Sequence, residues 1–538
     1  MEMKFRKFLE DYESKVIPIF KETNQTFFNA SVTGKKEKYK KVAELEIEIS
    51  KYFSNPEIFN QLKEFKESGE IKDELLKRQL DLIFIEFAAH QFDPELQESI
   101  IKLSTEVEEK FSTYRAVVNG KELTDNQIDK ILEDSKDSSE LQQTWEASKK
   151  IGEFVVDDVI TLVKMRNEAA RKLGFKNHHA MSLELSEQNS SQLEKLFDEL
   201  DELTRNEFKK LKTDIDLHLS AIYNIPQNEL MPWHYQDKFF QQGPKIYRAD
   251  LNSYFANEDL VKITEEYFEG IGLPITDLIN KSDLFEKEGK YQHAFCIDID
   301  KKGDVRVVSN VKPDHRWMGT LLHEYGHAVY NKFIDADLPW QLRDQAHIFT
   351  TEAIAMLFGR LASNPKWLME VIGISEDEKN KIASDCFNTL RLEQLTFSRW
   401  VQVMFRFEKA MYENPDQDLN SLWWSLVEKY QYIKKPVNRN KPDWASKIHL
   451  ALYPAYYHNY MLGELLASQL NHFICKNILD ECENTQQSFT GETRVGNYLK
   501  ENIFIPGARY HWSQLIKRAT GEELTPVHYA NEFVNHQK

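Results

Sequence analysis

The chain has 538 residues, with 69 Lys and Arg against 87 Asp and Glu, a formal net charge of −18. A duplex-binding protein needs a basic face to displace counterions, and no Lys/Arg stripe with interleaved aromatics offsets the acidic balance, so nucleic acid is excluded as a partner. Gly (19) and Pro (16) stand near half their usual shares of about 7% and 5%, which disfavours collagenous, linker-rich and many-stranded architectures and predicts a mostly α fold.

The N-terminal stretch Met-Glu-Met-Lys-Phe-Arg-Lys-Phe-Leu-Glu-Asp holds no apolar run of signal-peptide length. No window of about 18 uncharged apolar residues exists, so no membrane span is expected. Cys296, Cys386, Cys475 and Cys482 lack paired ligand spacing and are too few for a disulfide scaffold. A cytoplasmic protein is the expectation.

Taken in chain order, apolar residues first recur at three- and four-residue intervals, as in Phe5, Phe8, Leu9, Tyr12 and Val16 and again in Leu76, Leu80, Ile83, Phe84 and Phe87. These predict helices. Ser138 to Leu173 reads as one or two long helices closing at Gly174, and a further long helix is expected from about Ser190 to His218. Its polar run from Thr204 to Lys212 reads as a solvated face. Breakers then cluster between Pro226 and Pro244, around Pro232, Trp233, His234, Tyr235 and Gln236. From Phe295 to Val311, β-branched residues alternate with polar ones on both sides of Gly303, which predicts a β-hairpin. The helical period returns after Asp314, a candidate N-cap. No internal repeat and no low-complexity segment is found.

The chemistry is concentrated at His323-Glu324-Tyr325-Gly326-His327. Positions i and i+4 share a helix face, so both imidazoles can reach one ion, while the Glu is turned toward the open coordination position. A zinc hydrolase of this kind needs a third protein ligand. Glu352, in Thr350-Thr351-Glu352-Ala353-Ile354-Ala355-Met356, opens a second helical pattern 25 residues after His327. It is the candidate ligand, the alternative being an acid that merely favours the helix dipole.

With these motifs the sequence resembles the angiotensin-converting enzyme, or peptidyl-dipeptidase A, family of zinc peptidases. The resemblance covers roughly residues 140 to 470 and is carried by Met165-Arg166-Asn167-Glu168-Ala169-Ala170-Arg171, His293-Ala294, Trp423-Trp424, Lys429-Tyr430-Gln431, Arg439-Asn440, Lys447-Ile448-His449 and Tyr457-His458-Asn459-Tyr460. Thimet-type oligopeptidases share the zinc logic and are the close competitor.

The resemblance implies a role for each of these residues: one zinc ion per chain is held by His323, His327 and Glu352, with Glu324 as general base and then acid. His449 and Tyr460 stabilise the oxyanion. His293 and Ala294 bind the substrate backbone on the hairpin, and Gln236, Lys447 and Tyr457 hold a terminal carboxylate. The bare residues permit duller readings: core tyrosines, a surface Lys447, a structural His449. His347 and His458 receive no role beyond structure. The family's chloride-binding arginines fall on Val427 and Asn459, which gives no basis for chloride activation. Its acidic residue four positions after the ligand Glu falls on Met356, leaving the acceptor for a zinc-bound imidazole unnamed.

The expected architecture is a two-lobed ellipsoid with a deep central cleft and one small sheet beside the zinc helix. Residues 1–538 are expected to form one peptidase unit of two interleaved helical lobes, with the hairpin at 293–311 and the zinc-binding helices at 314–361. The expected activity is release of C-terminal dipeptides from short peptides, the alternatives being an endo-acting oligopeptidase and an inactive peptide-binding scaffold. A monomer or weak dimer is expected.

Overall fold

The computed structural model describes residues 1–247, 249–480 and 487–535. Cys482 therefore lies outside the described residues, and the other three cysteines are free thiols. The architecture is mostly α, as the scarcity of Gly and Pro predicts. Among the described residues no helix is long and apolar enough to cross a membrane.

The chain divides into two compact units, each assembled from separate stretches of sequence. The first comprises Met1–Gln91, Ala249–Cys386 and Leu462–Tyr529, and the second Phe92–Arg248, Phe387–Met461 and Ala530–Lys538.

In the first unit, the helix Glu2–Thr33 buries Phe5, Phe8, Leu9, Tyr12 and Val16, the stripe its periodicity predicts. The helix Glu74–Ala89 likewise buries Leu76, Leu80, Ile83 and Phe87. The predicted hairpin is present but shorter than its sequence pattern: strand β3 spans Phe295–Asp298 and β4 spans Val305–Val308, paired antiparallel with Phe295 opposite Val308. His293 and Ala294 lie just before β3, where they had been expected on the strand itself. Among the described residues β3 pairs with β4 alone, while the outer side of β4 meets Asp283 through a bridge at Val308.

Several contacts fix the approach to β3. The buried Lys290 ammonium donates to the carbonyls of Asp283 and Phe285, both at 2.8 Å, and to that of Ser309. Asn310 Nδ2 donates to the carbonyls of Tyr291 (3.0 Å) and Gln292 (3.2 Å). The end of the first helix joins the same segment: Tyr291 N donates to the Ser31 carbonyl at 2.8 Å. A Cβ on Gly34 would fall 2.1 Å from the Gly289 carbonyl oxygen, so only glycine admits this approach. Phe28 completes the joint by packing with Ile299 and Val308 of the hairpin.

In the second unit, the stretch from Ser138 is two helices, Ser138–Lys149 and Ile151–Lys172, and Gly174 beyond them takes φ 92°. Arg166 and Asn167, quoted in the family resemblance, turn out to be buried ties. Arg166 Nη1 donates to the Ala451 carbonyl at 2.7 Å, and Asn167 Nδ2 to that of Tyr412 at 2.8 Å. The next long helix runs Ser190–Tyr223, five residues past its expected end, and stops at Asn224 in the left-handed region.

The solvated-face reading of Thr204 to Lys212 holds for Arg205, Asn206, Lys209 and Lys210. Thr204 is buried beneath the Arg399 guanidinium, which also pairs with Asp201. Lys212 is buried too, its charge met by Asp216 at 2.7 Å and the Tyr235 hydroxyl at 2.8 Å.

A second hairpin contradicts the expectation of one sheet. Strands β1 (Ala116–Val118) and β2 (Lys121–Leu123) pair across Asn119-Gly120, both with positive φ. Asn-Gly is the residue pair that a two-residue hairpin turn with positive φ at both positions requires.

Candidate metal centre and substrate-binding residues

The motif sits on the helix His315–Lys332, which starts where Asp314 accepts a hydrogen bond from Trp317 N at 2.8 Å. Met318, Leu321, Leu322 and Val329 are buried and set the helix's rotation. The second ligand helix, Ile348–Gly359, is capped by the His347 side chain, which accepts from Phe349 N, so His347 has the structural role expected of it.

The two helices can lie close because glycine stands at their contacts. A Cβ on Gly326 would meet Ala355 Cα at 2.8 Å, and one on Gly359 would meet His323 Cβ at 3.4 Å. The helix-propensity cost of Gly326, about 1 kcal/mol against Ala, is offset by this approach.

The approach brings one ligand atom each from His323, His327 and Glu352 within 4.8 Å of one another. Glu352 Oε2 lies 3.7 Å from His323 Nε2 and 3.9 Å from His327 Nε2. Zinc bonds of about 2.0–2.1 Å to N and O give tetrahedral edges of roughly 3.4 Å, so the separations exceed those edges by only a few tenths of an ångström.

Electrostatics point the same way. Burial pushes the His323 imidazolium down to about 4 and that of His327 to about 3, so both rings are neutral near pH 7 and able to bind a metal. Burial also pushes the Glu324 carboxyl up to about 8, with Glu352 adding to the shift, and the Glu352 carboxyl to about 7, with Glu464 adding. The charges acting on these carboxyls are thus other carboxylates, and a divalent cation would relieve both. Glu464 itself pairs with Arg360. Two imidazoles and one carboxylate suit zinc, so the residues fit the ion that the motif implies.

Sequence reasoning did not identify the groups around these ligands. His327 Nδ1 lies 2.7 Å from the Thr351 hydroxyl, and the adjacency of Thr351 to Glu352 was the available signal. Met356 packs toward Gly463, whose Cβ, if present, would lie 3.1 Å from the Met356 sulfur.

His293 and Ala294 belong to the first unit with the metal cluster, whereas Gln236, Lys447, His449, Tyr457 and Tyr460 belong to the second. Within the second unit, Gln236 and Lys447 line one cavity of about 410 Å³ together with Lys149, Asp237, Lys238 and Gln241. Lys447 is buried and donates to Gln241 Oε1 at 2.7 Å, while Gln236 Oε1 accepts from Lys245 N at 3.1 Å. Burial holds the Lys447 ammonium down to about 8, with Lys238 adding and Asp237 opposing.

The Lys447 Nζ stands 5.3 Å from the centre of the Tyr457 ring, and the Tyr457 hydroxyl accepts from Trp400 Nε1 at 2.9 Å. His449 packs edge-on against Tyr457, and its buried Nδ1 has no hydrogen-bond partner among the described residues. His458 Nε2 lies 2.7 Å from Gln188 Oε1, and Asn459 Oδ1 accepts from Gln188 Nε2 at 2.8 Å, an arrangement that occupies both side chains structurally.

Comparison with known proteins gives relatives consistent with this geometry. The chain is 25% identical over 285 residues to angiotensin-converting enzyme of Rattus norvegicus, covering 51% of this chain and 21% of the rat protein. It thus spans about a fifth of that relative's length. It is 24% identical over 383 residues to carboxypeptidase 1 of Bacillus subtilis, covering 61% of this chain and 75% of that one. An inactive angiotensin-converting enzyme-related protein of Caenorhabditis elegans is 23% identical over 363 residues, covering 60% of this chain and 40% of its own. The family model described as peptidase M2, angiotensin-converting enzyme, matches residues 1–530, and the chain belongs to that family.

Proposed function

We propose that the protein is a zinc-dependent peptidase that releases C-terminal dipeptides from short peptides. The observation that carries the peptidase reading is the convergence of His323, His327 and Glu352 beside a buried Glu324. When bound, zinc supplies Lewis acidity, acidifying a water molecule and polarising the scissile carbonyl.

The chain's own residues do the rest. Glu324 takes the proton of the attacking water and passes it to the leaving amine. Burial raises this carboxyl in the metal-free protein, and a bound cation would lower it again, so that Glu324 can accept the proton as a carboxylate and then donate it. The substrate backbone adds along β3 from His293 and Ala294, as a peptide adds to a free sheet edge. His449, with an unspent ring nitrogen, and Tyr460 are the proposed donors to the oxyanion, which preplaced hydrogen bonds stabilise.

The C-terminal reading is supported by the buried Lys447 in its cavity. An ammonium that is only partly matched by a neutral amide is suited to a carboxylate. Because Gln241 bonds Lys447 directly, we add it to Gln236 and Tyr457 as a carboxylate-holding residue.

One peptide offered as free acid and as C-terminal amide tests the scheme. The free acid is expected to lose dipeptides stepwise, the amide to be cut at least tenfold more slowly, and the Glu324→Gln protein to bind zinc yet cut neither. Equal cleavage of acid and amide would support the endo-acting alternative. Full activity of Glu324→Gln would remove the catalytic assignment.

A further inference from the structure

We propose that Thr351 is the residue that positions His327 for metal binding, doing with a neutral hydroxyl what the family resemblance assigns to an acid four residues beyond the ligand Glu. That acidic position is Met356 here, a thioether packed toward Gly463 and a weak acceptor at best. The Thr351 hydroxyl instead lies 2.7 Å from His327 Nδ1 and is 4% exposed, so water does not compete for the bond.

The geometry has two effects. An Nδ1–H donated to Thr351 fixes the tautomer that leaves Nε2 free, the same nitrogen that stands 3.9 Å from Glu352 Oε2. Because Thr351 directly precedes Glu352, one turn of the helix Ile348–Gly359 then both supplies a ligand and aims another. A neutral partner also donates less electron density through the imidazole than a carboxylate does.

This inference rests on the metal-site reading, and the test separates the two. Zinc affinity of the full chain, stripped and then titrated against a chromogenic chelator, is compared for wild type, Thr351→Ser, Thr351→Val and Thr351→Ala. Thr351→Ser is expected within threefold of wild type, and Thr351→Val and Thr351→Ala 10- to 100-fold weaker. The visible absorption of the cobalt(II)-loaded proteins is expected to change in the valine and alanine variants and not in serine. Thermal melting of the metal-free variants shows whether each is folded, and the alanine variant carries the test if valine is not. Valine and alanine variants within threefold of wild type would overturn the proposal, as would a serine variant as weak as alanine. A wild-type chain that binds no zinc would overturn the metal-site reading and this inference with it.

Discussion

Glu352, held up to about pKa 7 by burial, must lose a proton before its oxygen can join a metal. At pH 6 the metal-free carboxyl is mostly protonated, so each zinc captured there expels one proton. Above pH 7 the carboxylate is already formed and no such cost remains. His323 and His327 are neutral throughout this range and contribute no slope. Because the cation also favours the ionised form of Glu324, whose carboxyl is pushed up to about 8, zinc affinity is expected to rise at least tenfold per pH unit up to about 7, less steeply to about 8, and then to level. Chelator competition at several pH values between 5.5 and 8 checks this, and a flat profile would contradict it. At this scale the convergence of His323, His327 and Glu352 was legible because helix geometry ties His323 to His327 and the family pattern supplies Glu352. Thr351 was not, because a threonine's partner depends on how two helices face each other, which no local pattern records.

The ligand helices owe their closeness to Gly326. Replacing it with alanine adds about 1 kcal/mol of helix propensity, yet its Cβ would meet the Ala355 backbone at 2.8 Å, and backbone has little room to yield. Gly326→Ala is expected to be destabilised by about 1–3 kcal/mol net. A denaturant midpoint unchanged or raised would show that the helices separate at little cost. Element boundaries followed local chemistry where caps are strong, as at Asp314. Asn119-Gly120 is the strongest short-range turn signal, but its strands, three residues each, are too short to show a period-two alternation in sequence. The burial of Thr204 and Lys212 was illegible for a different reason. Their partners, Arg399 and Tyr235, lie 195 and 23 residues away in sequence.

At the level of the molecule, low Gly and Pro content foretold helices but not how the chain divides its residues between units. Each unit carries its own core: Phe5, Phe87, Tyr325, Tyr330 and Trp367 are fully buried in the first, Trp145, Phe197, Trp400 and Trp444 in the second. His323, His327 and Glu352, the group that could hold a metal ion, all belong to the first unit. Zinc at a thousandfold excess over its dissociation constant adds about 4 kcal/mol to the form that binds it. Stripping the metal is expected to lower the melting temperature by several degrees. Calorimetry with and without chelator measures this, and coincident melting curves would argue against a specific site.

The joint between Gly34 and Gly289 bears on how the protein can be handled. Because the first helix ends against the segment leading into His293 and Ala294, the N-terminal 34 residues are part of the scaffold of β3, though they lie far from the motif in sequence. A fusion tag placed ahead of them leaves that joint intact. A deletion that trims them to shorten the chain removes the backstop of the very strand the peptide is proposed to meet.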